Sequence, residues 1–216
     1  NIGSKAWVYQ QYDQLVRGNT LVRPGSDAAV IRIKGTRKAV AISLDCNSRY
    51  CSLDPYVGAM IAVVESARNV VCAGAQPLAI TNCLNFGNPE KPEVMWQFME
   101  AVHGIRDACQ ALGTPVISGN VSFYNDTNAI SIPPTPVIGM VGLMEDVTRQ
   151  TTQWFKSEGD VVVLLGITRE ELGGTEYLRL QHDLAKGSPP WIDLEIEKRV
   201  QTVCSEAIAE GLVRSA

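Results

Sequence analysis

Hydrophobic and polar positions along the chain fall into a short series of readable segments. Ala28–Lys34 and Ala39–Asp45 are rich in β-branched residues and partly alternate, and Gly35–Lys38 separates them, so they predict a β-hairpin. Asp54-Pro55 then opens a helix: the Asp side chain can accept from free N–H groups, and Pro fits the first helical position. Val57, Ile61, Val64, Arg68 and Val71 follow at helical spacing, and Gly74 supplies the stop. The small residues Gly58, Ala59, Ala62 and Ala67 predict close packing of this helix on a neighbour. Leu78–Leu84 reads as a buried strand. Pro92 starts a second helix with Val94, Phe98, Ala101, Ile105, Ala108 and Leu112 on one stripe, and Gly113 ends it. Pro115–Gly119 is the next strand. Strand, long helix and strand make a β-α-β unit, for which parallel pairing and a right-handed crossover are expected. After a loop at 124–134, Pro136–Met144 predicts another strand.

Charged and polar residues return at 145–158, which suggests a domain boundary. Gly159–Gly166 (GDVVVLLG) then reads as a fresh buried strand. Gly173-Gly174 and Gly187–Pro190 mark loops, and a last helix is expected from Asp193 to Ile208 with Ile196, Val200, Val203 and Ala207 on one stripe. The organisation predicted is a lead-in at 1–24, an α/β domain at 25–148, and the incomplete start of a second, α+β domain at 149–216. One strand and one helix cannot close a core of their own.

Charge narrows the function classes. Charged residues are 19% of the 216, below the roughly 25% usual in soluble domains. They are also unevenly spread. Residues 69–89 carry none, and 108–144 carry only Asp126, where the chain average predicts about 11 in all. Buried strands or a ligand-binding backbone would keep charge out of such stretches. With 19 basic against 23 acidic residues the net charge is −4, which argues against a nucleic-acid surface. No run of 18 apolar residues and no signal-like amino terminus are present, so a cytoplasmic protein without a membrane span is expected. Six cysteines at 46, 51, 72, 83, 109 and 204 lack a C-x-x-C pair and read as scattered, buried free thiols.

Each charge-poor stretch contains an Asn- and Gly-rich strand ending, Thr81–Asn88 and Ser118–Asn125. In a β-α-β unit both endings emerge at the carboxyl edge of adjacent strands, where open parallel sheets bind ligands. Glycine lets backbone approach a phosphate, Ser and N–H groups donate to it, and Asn offers either a donor or an oxygen. A Mg²⁺ held partly by phosphates needs only one or two oxygens from protein. Two polar turns closing buried strands are the alternative reading. Neither a Walker motif nor G-x-G-x-x-G occurs.

Pro24–Val30, Asp45–Tyr50, Thr81–Pro89 and Val116–Tyr124, continued by Ile138–Leu143 and Leu172–Tyr177, resemble the phosphoribosylformylglycinamidine synthase family. The resemblance covers nearly the whole chain and places it in the second pseudo-repeat of that family. It implies a fold similar to aminoimidazole ribonucleotide synthetase. The reaction implied uses ATP and Mg²⁺ to activate the amide oxygen of formylglycinamide ribonucleotide, and glutamine-derived ammonia then displaces phosphate. Partners implied are a glutaminase subunit and a small bridging subunit. Carried over by position, Asn82 and Gly119 resemble ATP contacts, Asn120 a Mg²⁺ ligand and Ser122 a substrate contact. Asn82 stands where the family usually has Asp, so hydrogen bonding is kept but the charge that attracts a cation is lost. The family's catalytic histidines lie upstream of this chain, and His103 and His182 are expected to be surface residues. Asp27 and Asp45 are expected as solvated strand ends, Leu172–Thr175 as a plain turn, and Trp7, Trp96, Trp154 and Trp191 as packing residues. A structural half that holds a nucleotide without hydrolysing it is the alternative function.

Overall fold

The computed structural model describes residues 3–216; Asn1 and Ile2 of the lead-in lie outside the described residues. The strands are β1 (Thr20–Val22), β2 (Ala29–Arg32), β3 (Ala39–Asp45), β4 (Gln76–Asn85), β5 (Val116–Ser122), β6 (Asp126–Thr127), β7 (Ile130–Ser131) and β8 (Thr135–Met144). The helices are α1 (Ala6–Tyr9), α2 (Ser48–Leu53), α3 (Pro55–Cys72), α4 (Pro92–Leu112), α5 (Glu176–His182) and α6 (Leu194–Ala209).

Six strands form one sheet in the order β1-β2-β3-β8-β4-β5. The expected hairpin is β2 against β3, antiparallel with Ala29 opposite Ile42. The β-α-β unit is β4-α4-β5, and its two strands pair in parallel. β8 is the long central strand, antiparallel to both β3 and β4. The result is a mixed α/β fold, as the periodicity requires.

Helix boundaries follow local chemistry. The Asp54 carboxylate accepts from the N–H of Val57 at 3.0 Å, and Pro55 takes the first position of α3. α4 ends on Gly113 at φ 71°, a left-handed geometry that costs glycine least. Ala59, Ala62, Val63, Ala67 and Val70 turn the buried face of α3 to the sheet core around Ile80, Ile138 and Met140. α3 also lies against α4, where a Cβ on Gly104 would overlap the Tyr56 carbonyl, so this approach requires a residue without one. α6 then packs on α3 and α4.

Several expectations change. β5 runs on to Ser122 and is the outermost strand of the sheet, exposed along most of its length rather than buried. The loop at 124–134 contains a small antiparallel pair, β6 and β7. Two short helices, α2 and α5, arise from side-chain caps: Asn47 accepts from Arg49 and Tyr50 N–H, and Thr175 from Leu178 N–H. Gly159–Gly166 forms no strand. Val161, Val162, Val163 and Leu164 are 70–86% exposed, because no neighbouring backbone among the described residues pairs with them. Trp7, Trp96 and Trp154 are exposed rather than packed, and Trp191 carries the Arg169 guanidinium 3.6 Å from its ring centroid.

Candidate functional site

Three of the four predicted site residues line one cleft. Across the parallel β4–β5 pair Asn82 stands opposite Gly119, and Cys83 opposite Asn120. The Asn82 carboxamide occupies the space that a Cβ on Gly119 would need. On the other side of the sheet the Ser118 hydroxyl donates to Thr81 Oγ1 at 2.7 Å. Strand alternation therefore puts Asn82, Leu84, Gly119 and Val121 on the helix side, and Thr81, Asn85, Ser118, Asn120 and Ser122 on the open side. Between β5 and α4 lies a cleft of about 650 Å³, bordered by Asn82, Gly119 and Asn120 together with Val102, Ile105 and Val121. Its volume lies within the range of small-molecule sites. Arg106 is the one charged residue on its wall, and no carboxylate lines it.

Ser122 lies outside this cleft, at the strand end, where its carbonyl and hydroxyl take hydrogen bonds from Asn125 Nδ2 at 2.9 and 3.1 Å. The two endings do meet at one edge, as parallel pairing demands. Their N–H groups, however, are used by one another: Phe86 N donates to Ser122 O at 2.9 Å and Tyr124 N to Gly87 O at 3.0 Å. Asp126, the single charge of 108–144, accepts from the Asn88 N–H at 3.1 Å and pairs with Lys91 Nζ at 2.7 Å. Lys91 also donates to Ser131 Oγ at 3.0 Å, so this ion pair fastens the β6–β7 hairpin across the strand ends. The Lys91 ammonium holds the Asp126 carboxyl below its ordinary range. The sequence marks Asp126 as an isolated charge without assigning it a task. Beneath the hairpin Phe86, Phe98 and Phe123 form an aromatic cluster, Phe98 and Phe123 edge-on at 5.0 Å between centroids.

The remaining candidates stand elsewhere. Asp27 and Asp45 are half-buried rather than solvated, and burial raises both carboxyls. Burial and the Asp45 charge raise Glu65 as well. Asp45 Oδ1 accepts from Asn69 Nδ2 at 2.9 Å. The Leu172–Thr175 segment is a turn closed by Thr175 N–H to the Leu172 carbonyl at 3.2 Å, and the Gly174 carbonyl accepts from Arg49 Nε at 3.1 Å. His103 sits half-exposed on α4, 3.5 Å from Glu100, and His182 ends α5 against the Tyr177 ring.

Among the described residues no three His, Cys, Asp or Glu side chains stand together as a metal site, and no helix is long and apolar enough to cross a membrane. The polar side chains that line the cleft with Asn120, those of Asn82, Gln110 and Ser118, bring neutral carboxamide and hydroxyl oxygens. Such a set suits a Mg²⁺ that arrives on phosphate oxygens, not one stripped of water by protein alone.

Residues 25–144 match the family described as AIR synthase related protein, N-terminal domain. Over all 216 residues the chain is 57% identical to phosphoribosylformylglycinamidine synthase subunit PurL of Alkaliphilus metalliredigens. It is 56% identical to the same subunit of Moorella thermoacetica. It spans 29% and 30% of the length of these two relatives. Among solved structures, T. maritima PurL complexed with FGAR superposes with a TM-score of 0.69 at 28% identity, over 97% of this chain and 30% of that one. T. maritima PurL complexed with ATP gives 0.61 at 37% identity, over 69% and 24%.

Proposed function

Because the chain belongs to the AIR synthase related family through its residues 25–144, we propose that it forms part of an ATP-dependent carbon–nitrogen ligase, phosphoribosylformylglycinamidine synthase. That ligase converts formylglycinamide ribonucleotide and glutamine-derived ammonia to the amidine, with ADP and phosphate as products. The observation that carries the reading is the Asn82–Gly119 pair beside an uncrowded, largely apolar cleft. The full-length identity to PurL subunits and the T. maritima PurL complexes with ATP and with FGAR support it.

In this reading 25–148 is the AIR-synthase-like domain and 149–216 begins a second one. The apolar wall made by Val102, Ile105 and Val121 takes a nucleobase, while the Asn82 carboxamide and the Gly119 backbone fix its position. Asn120 offers a carboxamide oxygen to Mg²⁺ on the phosphates, and Ser122 faces the ribonucleotide substrate. When bound, Mg²⁺ would polarise phosphoryl oxygen as charge develops there. A glutaminase subunit supplies ammonia and a small subunit bridges the two, and the whole works in the cytoplasm. A structure of PurLQS from Thermotoga maritima superposes with a TM-score of 0.65 at 37% identity, over 71% of this chain and 25% of that one.

The test is a calorimetric titration of the chain with ATP, with and without Mg²⁺, alongside Asn82→Asp. ATP binding by the unaltered chain, with stronger Mg²⁺ dependence in the variant, is expected. Weak binding by both, indifferent to Mg²⁺, overturns the reading. One observation favours a second function, a half that holds nucleotide without hydrolysing it: no carboxylate lines the cleft. Turnover of formylglycinamide ribonucleotide, ATP and ammonium by the assembled complex, measured with and without replacement of Asn82 or Asn120, distinguishes the two. Replacements that abolish turnover support catalysis through these residues, and replacements that spare it support the holding role.

A further inference from the structure

Cys72, the last residue of α3, and Cys204, on α6, stand together on the wall of one cleft, although 131 residues of chain separate them. A second contact along the same seam fixes their approach. Arg68, one turn before Cys72, gives Nε to Glu197 Oε2 at 2.8 Å and also pairs its Nη2 with that carboxylate. Glu197 lies two turns before Cys204. Residues four apart on α3 thus meet residues seven apart on α6, spacings that each keep one helix face. Both thiols are free and half-buried, and both open onto a cleft of about 480 Å³ walled by Arg68, Val163, Leu165 and Trp191.

We propose that Cys204 is a thiol-modification site that reacts with small disulfides such as oxidised glutathione, and that Cys72 is its resolving partner. The chemistry balances in two exchanges. The Cys204 thiolate attacks one sulfur of the small disulfide, the S–S bond breaks, and one small thiolate leaves and takes up a proton. Cys72 then loses its proton and attacks Cys204 Sγ, which releases the second small thiol and leaves a Cys72–Cys204 disulfide. Two protein thiols are oxidised and one small disulfide is reduced to two thiols. The product ties α3, within the family-matched segment, covalently to α6 beyond it.

The neighbouring Cys72 thiol lowers the Cys204 thiol to about 7, while Cys72 itself is raised, so attacker and resolver are differentiated. At pH 7 a thiol at 7 is about half thiolate against about 1% for one at 9. Weaker intrinsic nucleophilicity offsets much of this, leaving an advantage of roughly five- to eight-fold. The other close pair differs. Cys51 lowers the Cys46 thiol too, against burial and the Glu65 and Asp45 charges, but Cys51 is itself fully buried and closed to a mixed disulfide on its partner.

The test incubates the full chain with oxidised glutathione at pH 7, blocks unreacted thiols and maps every cysteine by mass spectrometry. Fragment spectra separate Cys72 from Cys83, which share a tryptic peptide. Cys204 is expected to react about five-fold faster than half-buried Cys83, and the unsubstituted chain to accumulate the Cys72–Cys204 crosslink. Cys72→Ser is expected to stop at one glutathione on Cys204. If circular dichroism shows that this variant folds poorly, reactivity and crosslinking in the unsubstituted chain still test the proposal. Modification of Cys204 no faster than Cys83, or a mixed disulfide that never resolves onto Cys72, overturns it.

Discussion

The Asn82 carboxamide lies over the Cα of Gly119, on the neighbouring parallel strand, in the volume that any larger residue would claim. Gly119→Ala is therefore expected to push the carboxamide aside and destabilise the fold by about 1–3 kcal/mol, as overpacking does. Removing the obstruction should reverse this. Asn82→Ala combined with Gly119→Ala is expected to recover most of the loss, with a coupling of about 1–2 kcal/mol in a double-mutant cycle from urea unfolding. Additive effects would show that the two side-chain positions do not compete. ATP affinity, measured in parallel, should fall in Gly119→Ala and stay low in the double variant, which lacks the carboxamide altogether.

Phe86 anchors the strand ends from below. It is fully buried and its ring meets Phe98 edge-on at 5.4 Å between centroids. Phe86→Ala is expected to cost about 3–5 kcal/mol, since an aromatic cavity there cannot collapse onto a rigid β4–β5 pair. Phe86→Leu, which fills most of the space, should cost less. Denaturant midpoints at constant slope check both.

How much of this is legible in the sequence depends on which rule decides each element. α3 and α4 announce themselves through Asp54-Pro55, Pro92 and Gly113, because caps act within a few residues of the sequence. The opposition of Asn82 to Gly119 does not, since it depends on register. β4 against β5 shifts between Ile80 and Thr81, and no alternation pattern encodes that shift. Asp126 is visible as a lone charge, but its task requires the β6–β7 hairpin to bring Lys91 and Asn88 to it. Val161–Leu165 has every mark of a strand, yet a strand exists only with a hydrogen-bonding neighbour. Cys72 and Cys204 escape spacing rules because helix packing, not sequence distance, brings them together.

Arg49 joins α2 to the segment around α5. Its Nε donates to the Gly174 carbonyl at 3.1 Å, and its Nη2 pairs with Glu176 at the first turn of α5. Both side chains are partly exposed, so the combined interaction is worth about 1 kcal/mol after solvent screening. Arg49→Ala should accordingly speed amide exchange across Glu176–His182 by about five-fold, with little change in the sheet. Arg49→Lys is expected to rescue only part of the protection, since an ammonium lacks the planar fork that serves two acceptors. Uniform exchange changes over the whole chain would instead indicate global destabilisation.

Asp27, Asp45 and Glu65 make stability depend on pH in an unusual direction. Burial raises all three carboxyls in the folded state, and the Asp45 charge raises its two neighbours further. A carboxyl raised on folding holds its proton more tightly in the native state than in the unfolded chain. It therefore destabilises the fold once ionised, and stability rises as pH falls through the raised values toward the ordinary 3.8 of Asp. Asp146 acts with the opposite sign. Thr148 hydrogen bonds and the Arg37 guanidinium hold it at about 2, so its contribution is present above 3.8 and lost as pH falls toward 2. The expected profile has its maximum on the acid side of neutrality and declines below 3.8. Asp45→Asn keeps the shape and removes the charge. It should raise the urea midpoint at pH 7 and flatten the slope above 3.8, while leaving the acid limb unchanged. A midpoint that falls at pH 7 would mean that the Asn69 hydrogen bond to Asp45 outweighs the buried charge.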